Sequence, residues 1–184
     1  MKETNAIVLD FLPNGYPFEN SGGMTTPIVQ ALGVERFALL ELVPKKDVFL
    51  NPEDDVYIGE GKRDHIMHIR GRLEFDKLTQ TGRSVLEQAV VRLVDTHVDR
   101  FIAFFNTARP LSTRMHQIEL LPGLGKKHMW EVIEEREIEP FTDFANLRER
   151  VKLLPDPKKL IIKRILKELT GKEKHYLFVE PPGR

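Results

Sequence analysis

The chain is 184 residues long, 41% hydrophobic and 30% charged, an ordinary composition for a water-soluble protein of one large or two small domains. With no cysteine it forms no disulfide, no cysteine-ligated zinc site and no thiol nucleophile. No run of about 18 apolar residues occurs, and Met1-Lys2-Glu3-Thr4-Asn5 lacks the apolar core of a signal peptide, so a cytoplasmic protein without membrane association is expected.

The 28 Lys and Arg balance 28 Asp and Glu over the whole chain. Residues 1–78, however, carry 9 cationic against 13 acidic side chains, and residues 79–184 carry 19 against 15. Phosphate contacts are therefore expected mainly in the second part.

From the N-terminus, Ala6–Leu12, Arg36–Val43, Val48–Leu50 and Asp55–Gly59 are short apolar or alternating runs bounded by Pro, Gly, Asn and Asp. They read as strands. Pro13–Pro17 and Asn20–Gly23 read as loops, and Gly59-Glu60-Gly61-Lys62 as the turn of a hairpin into His65–Arg70. About five short strands without a helix predict an oligonucleotide-binding-type (OB-like) β-barrel over residues 1–78. Lys45, Lys46, Lys62, Arg63, Arg70 and Arg72, interleaved with Phe49, Tyr57 and Phe75, are the cations and aromatic faces that single-stranded nucleic acid uses. The competing reading is that the aromatics are core and the cations merely solvated.

Two helical stretches follow, Arg83–Val94 and His97–Phe105, in which Leu86, Val90, Leu93, Val94, His97, Phe101 and Phe104 recur at three- and four-residue steps and predict one buried face. Thr107–Gln117 is a Pro-marked break leading to a short helix. Thr79, Thr81, Arg83, Arg109, Arg114 and His116 are donors available to a phosphodiester backbone.

Leu121-Pro122-Gly123-Leu124-Gly125-Lys126-Lys127 then precedes a helix opened by His128-Met129-Trp130. Glycines one residue apart at a helix N-terminus leave backbone N–H groups bare, where the helix dipole favours an anion. This hairpin, residues 120–127, resembles the helix-hairpin-helix motif of sequence-nonspecific DNA- and RNA-binding proteins, which reads apolar-Pro-Gly-apolar-Gly. Gly123, Leu124, Gly125, Lys126, Lys127 and His128, with Arg114, are the implied nucleic-acid contacts. Such motifs often hold a monovalent cation on backbone carbonyls, which the resemblance places on Glu119, Leu121 and Leu124; no other cofactor is implied. Leu153-Leu154-Pro155 repeats Leu120-Leu121-Pro122 before a second amphipathic helix, with Lys158 and Lys159 behind it. Asp156-Pro157 there removes an amide and adds a negative charge, so residues 153–159 are expected to form a degenerate, structural partner of the first hairpin.

The order and spacing of the whole chain resemble an uncharacterised archaeal family described as RNA-binding, which joins an N-terminal β-barrel to a helix-hairpin-helix domain. The resemblance runs through Phe37–Leu42, Val56–Gly59, Thr113–Gln117, the hairpin and Tyr176–Val179. The expected fold is thus α+β, with the barrel at 1–78, an all-α tandem helix-hairpin-helix domain at 79–173 and a tail at 174–184. What the resemblance implies is nucleic-acid binding connected with translation or RNA processing, RNA ahead of DNA, with a ribonucleoprotein as further partner.

Catalytic groupings are weak. Glu53-Asp54-Asp55 after Pro52 reads better as a solvated turn than as a magnesium site, and His65 and His68 lack a third ligand. Gly59-Glu60-Gly61-Lys62 lacks the spacing and the hydroxyl residue of a phosphate-binding P-loop. A non-enzymatic binding protein is expected, the rival being a protein-docking adaptor of a ribonucleoprotein or replication assembly.

Overall fold

The computed structural model describes residues 3–17 and 26–181. The loop expected at Asn20–Gly23 lies outside them. The described residues are mixed α+β, with a curled five-stranded antiparallel sheet, a half-barrel, and five α-helices. By compactness the chain divides into one unit of Met1–Ala89 with Glu168–Arg184 and another of Val90–Lys167.

In the first unit, β1 (Asn5–Leu12) pairs with β2 (Ile28–Gly33) and with β4 (Asp55–Tyr57), while β3 (Leu39–Pro44) joins β2 to β5 (Ile66–Arg72). The order is β4-β1-β2-β3-β5. Register shifts at Val8/Asp10, Glu41/Leu42 and Val43/Pro44 add local twist and curl the sheet. Ala6, Val8, Val29, Ala31, Leu40, Leu42 and Ile66 form one side's core, with Val56 and Ile58 from the β4 edge. Ile7, Leu9 and Leu32 on the opposite face are also fully buried, so both faces of β1 and β2 are covered.

One expected strand is absent and one unexpected strand is present. Val48–Leu50 is irregular: Val48 and Leu50 reach the core, and Phe49 stacks edge-on against Phe11 at 6.0 Å. The unexpected strand is β2. All six of its residues are buried, Gln30 included, so it has no alternation to announce it. The turn at Gly59–Lys62 does not close a hairpin either, because β4 and β5 are opposite edges with no ladder between them among the described residues.

The buried Gln30 amide accepts the Thr79 amide and donates to Lys77 O, both at 3.0 Å. Thr79 Oγ1 donates to Asp10 Oδ2 at 2.6 Å and accepts from the Gly82 amide at 2.9 Å, capping α1 (Gln80–Thr96) while tying it to the sheet. Arg83 donates to Asp76 O and Leu78 O and lies over Phe75. Thr79 and Arg83, expected as donors to a ligand, are thus committed to the fold. Glu3 is held by the amides of Glu35, Arg36 and Ala38, and burial together with its hydrogen bond to Glu35 pushes its carboxyl up to about 7. The expected tail is anchored as well: buried Glu168 accepts the amides of Leu177, Phe178 and Val179 at 2.8, 3.0 and 2.9 Å.

The second unit is not all-α. After α2 (Val98–Thr107), the expected break holds a small hairpin of β6 (Pro110–Ser112) and β7 (Met115–His116). The short helix before the hairpin is a 3-10 turn at Gln117–Leu120, followed by α3 (Lys126–Ile138), α4 (Phe144–Arg150) and α5 (Pro157–Leu169). His97 breaks α1 from α2 and is exposed; the phase restarts, so Phe101, Ile102 and Phe105 are buried in α2, while Phe104 is only half-buried. Arg136 donates to Phe105 O and Ala108 O, both at 3.0 Å, satisfying carbonyls at the C-terminus of α2.

Candidate nucleic-acid interface

The hairpin before α3 is built by short-range bonds. His116 Nδ1 accepts the Ile118 amide at 3.2 Å and the Glu119 carboxylate accepts the His116 amide at 2.8 Å, a reciprocal cap on the 3-10 turn. Burial, and then the neighbouring Arg136 charge, hold the His116 pKa below the usual histidine value against the opposing pull of Glu119. The Leu121 amide bonds to Ile118 O at 3.1 Å and the Leu124 amide to Leu121 O at 3.2 Å, turning the chain twice. Ile118, Leu121 and Leu124 point into the core. Gly123 has φ +86°, a left-handed conformation that glycine adopts without the steric cost a side chain meets.

Gly125 is the N-cap of α3, with φ −109° and ψ −173° and no capping side chain. That extended backbone does not require glycine, and a Cβ at Gly123 or Gly125 would meet nothing within 4 Å. The amides of Lys126, Lys127 and His128 have no partner among the described residues, and neither do the ammonium groups of Lys126 and Lys127. The result is an exposed N-terminus with bare amides, no Cβ in front of them and two mobile cations beside them.

The other two helices of this region start differently. Asp143 caps α4 by accepting the Asn146 amide at 2.8 Å, a bond that holds its carboxyl below the usual range. Asp156 caps α5, its Oδ1 accepting the amides of Lys158 at 3.1 Å and Lys159 at 3.4 Å. The second hairpin therefore holds an anion of its own. Lys158 is also paired with Asp95. Leu153 there has φ +61° with its side chain 86% exposed, followed by buried Leu154. In conformation, then, Gly123-Leu124 corresponds to Leu153-Leu154, whereas the Leu-Leu-Pro repeat aligns Leu121 with Leu154. His128 Nε2 donates to Leu153 O at 3.2 Å, so its ring ties the two hairpins together.

Among the carbonyls expected to hold a monovalent cation, Glu119, Leu121 and Leu124, one is already engaged. Leu121 O already accepts the Leu124 amide, and the neighbouring Leu120 O takes the guanidinium of buried Arg164 at 3.2 Å. A second cation there would sit beside that fixed positive charge.

On the half-barrel most expected cations have internal partners. Lys45 Nζ donates to Arg63 O, Arg63 Nε to Gly59 O at 2.8 Å, Arg70 lies 3.7 Å from Glu41, and Arg72 binds Glu180 at 3.0 Å and Pro181 O at 2.8 Å. Lys46 and Lys62 alone of this set have none among the described residues. Glu53 and Asp54 belong to a turn in which Asp54 accepts the Asn51 amide, and among the described residues no three His, Asp or Glu side chains are grouped to hold a metal ion.

Beside the bare N-terminus lies a cleft between the β6–β7 hairpin and α3, lined by Arg114, Met115, Lys126, Trp130 and Ile133, with His116 and Glu119 at one side. It brings expected Arg114 and Lys126 together with Trp130, which sequence reasoning passes over because it sits one residue from the core-facing Met129. A usable signal exists: buried Met129 and Val132 set the inward face of α3, and Trp130 lies off it.

A family model described as protein of unknown function, DUF655, matches residues 2–180. An uncharacterised protein of Methanocaldococcus jannaschii, MJ0038, is 45% identical over 180 residues, covering 97% of this chain and 80% of the relative. The crystal structure of Af1531 from Archaeoglobus fulgidus, described as of the same family, superposes with a TM-score of 0.85 at 38% identity, covering 97% of this chain and all of that one.

Proposed function

Taking as premise that the chain belongs to the DUF655 family, we propose that it is a non-enzymatic nucleic-acid-binding protein. It contacts the phosphodiester backbone without reading sequence. RNA stands ahead of DNA, with a role in translation or RNA processing. On this reading residues 120–127 are the working hairpin of a tandem helix-hairpin-helix, residues 153–159 its degenerate second hairpin, and the half-barrel an OB-like companion.

The observation that carries the reading is the contrast among helix starts: α4 and α5 cap themselves with Asp143 and Asp156, while α3 begins at a bare glycine followed by two lysines without partners among the described residues. Bare N-terminal amides and mobile cations suit an exposed phosphate and provide nothing that distinguishes one base from another. No helix among the described residues is long and apolar enough to cross a membrane.

The test is the salt dependence of binding, by fluorescence anisotropy, to mixed-sequence single-stranded, duplex and stem-loop RNA and DNA. Phosphate contact predicts a log–log slope of about −0.7 to −0.9 per phosphate engaged. A protein-docking adaptor shows no binding and no slope.

A further inference from the structure

We propose that the cleft beside the α3 N-terminus receives one unpaired nucleobase against Trp130, so that the protein selects single-stranded or looped nucleic acid over continuous duplex. The inference rests on the phosphate reading above and adds a chemically separate contact.

Trp130 is 57% exposed and Met115 39%, although both line a concave surface and Met129 beside Trp130 is buried. The cleft holds about 460 Å³. A flat aromatic face and a polarisable thioether left to water inside one cleft are surfaces on which a planar, π-rich ligand stacks.

The charges narrow the class of ligand. Arg114 and Lys126 line the same cleft, and neither side chain has a partner among the described residues. Arg136 adds positive charge while its guanidinium stays bonded to Phe105 O and Ala108 O. Glu119 is the acidic lining residue, and its carboxylate is engaged by the His116 amide. An apolar peptide would leave those cations without counter-charge, whereas a nucleotide supplies both a ring for Trp130 and an anion for Arg114 and Lys126.

Helix geometry connects the two contacts. Lys126 and Trp130 are four residues apart on α3, hence on one side of the helix and separated by about 6 Å along its axis. A phosphate held at the first-turn amides therefore leaves an attached nucleoside within reach of the indole. Bases in a continuous duplex are stacked on their neighbours and cannot enter without unstacking, but those of a single strand or loop can.

Trp130 is the chain's single tryptophan, so its intrinsic fluorescence reports the cleft directly. The full chain is titrated with a short mixed-sequence RNA, the DNA strand of the same sequence, the RNA duplex, and an abasic sugar-phosphate oligomer of equal length. Anisotropy reports binding and indole emission reports stacking. The expected result is quenching by the single strands alone, with salt-dependent binding of all four. Trp130→Ala, checked for folding by thermal melting, lowers affinity for the single strands by about 5- to 100-fold. It leaves the abasic oligomer and the duplex unchanged, and Trp130→Phe recovers part of the loss. If Trp130→Ala bound the single strands like the parent, or if the abasic oligomer quenched the indole equally, the base cleft would be wrong while the phosphate contact stood. If none of the four bound in a salt-dependent way, both readings would fall.

Discussion

At Gly123–Gly125 a helix N-terminus meets solvent bare, and at Leu153–Asp156 a second one, in the same compact unit, is closed by the chain's own carboxylate. Both turns use one left-handed residue followed by a buried leucine, and both start a 13-residue helix. The difference that bears on an anion lies at the N-cap, Gly125 in one turn and Asp156 in the other. A side chain that accepts the first-turn amides satisfies them internally and adds negative charge where an incoming phosphate would lie; a glycine leaves the same amides and the same dipole to a ligand. One lysine follows the same division, since Lys158 is paired with Asp95 while Lys126 and Lys127 are unpaired among the described residues.

The likeness between the hairpins is tested by the leucine after each left-handed residue. Leu124→Ala and Leu154→Ala should each cost about 2–5 kcal/mol of folding stability in urea denaturation. A large loss at Leu154 with none at Leu124 would show that the turns are not counterparts.

The contrast is tested by moving the cap. Gly125→Asp should give α3 the self-filled N-terminus of α5, raising stability by a few tenths of a kcal/mol while weakening nucleic-acid binding by about 1–3 kcal/mol, read by anisotropy against the urea midpoint. Gly125→Val should weaken binding by steric blocking without any electrostatic gain. Undiminished binding by a folded Gly125→Asp protein would remove the α3 N-terminus from the interface.

Backbone strain sharpens the pairing from the other side. Gly123→Ala at φ +86° should lose about 1–2 kcal/mol of stability, and Leu153→Gly at φ +61° should gain a similar or smaller amount, since its exposed side chain contributes little packing. Thermal midpoints moving in the same direction would contradict the shared geometry.

The smallest effect belongs to Asp156→Gly, which should lower stability by only a few tenths of a kcal/mol, because glycine is itself a tolerated cap. Binding should stay equal or strengthen as the second N-terminus opens. Reversing Lys158 and Lys159 to Glu should then weaken binding less than reversing Lys126 and Lys127, and the opposite order in an anisotropy titration would make the second hairpin the main contact.

The first hairpin is legible because its causes are local. Leu121-Pro122-Gly123-Leu124-Gly125 contains its own turns, its own left-handed residue and the bare position before α3, all set by bonds spanning a few residues. The same holds for the loss of function expected at Asp156-Pro157, where a carboxylate two residues from an amide finds it without help from the rest of the fold. The broad division into short strands and later helices is equally readable, since periodicity reflects which face is buried.

Long-range partners settle what the chain's order does not show. Strand β2 carries no alternation because both its faces are covered, Val29 and Ala31 by the core that includes Val56 and Ile58, and Gln30 by the segment of Lys77 and Thr79 that it binds. Lys45, Arg70 and Arg72 read as available cations, yet they find their oxygens at Arg63, Glu41 and Glu180, residues brought near by the folding of the half-barrel. Trp130 is the converse case: its place on α3 follows from helical period, but the cleft it shares with Arg114 and Met115 exists only because the fold brings the β6–β7 hairpin beside that helix. Turn geometry and capping act over a few bonds and are written in the residues themselves, whereas burial and charge pairing depend on which distant groups the packed chain brings within reach.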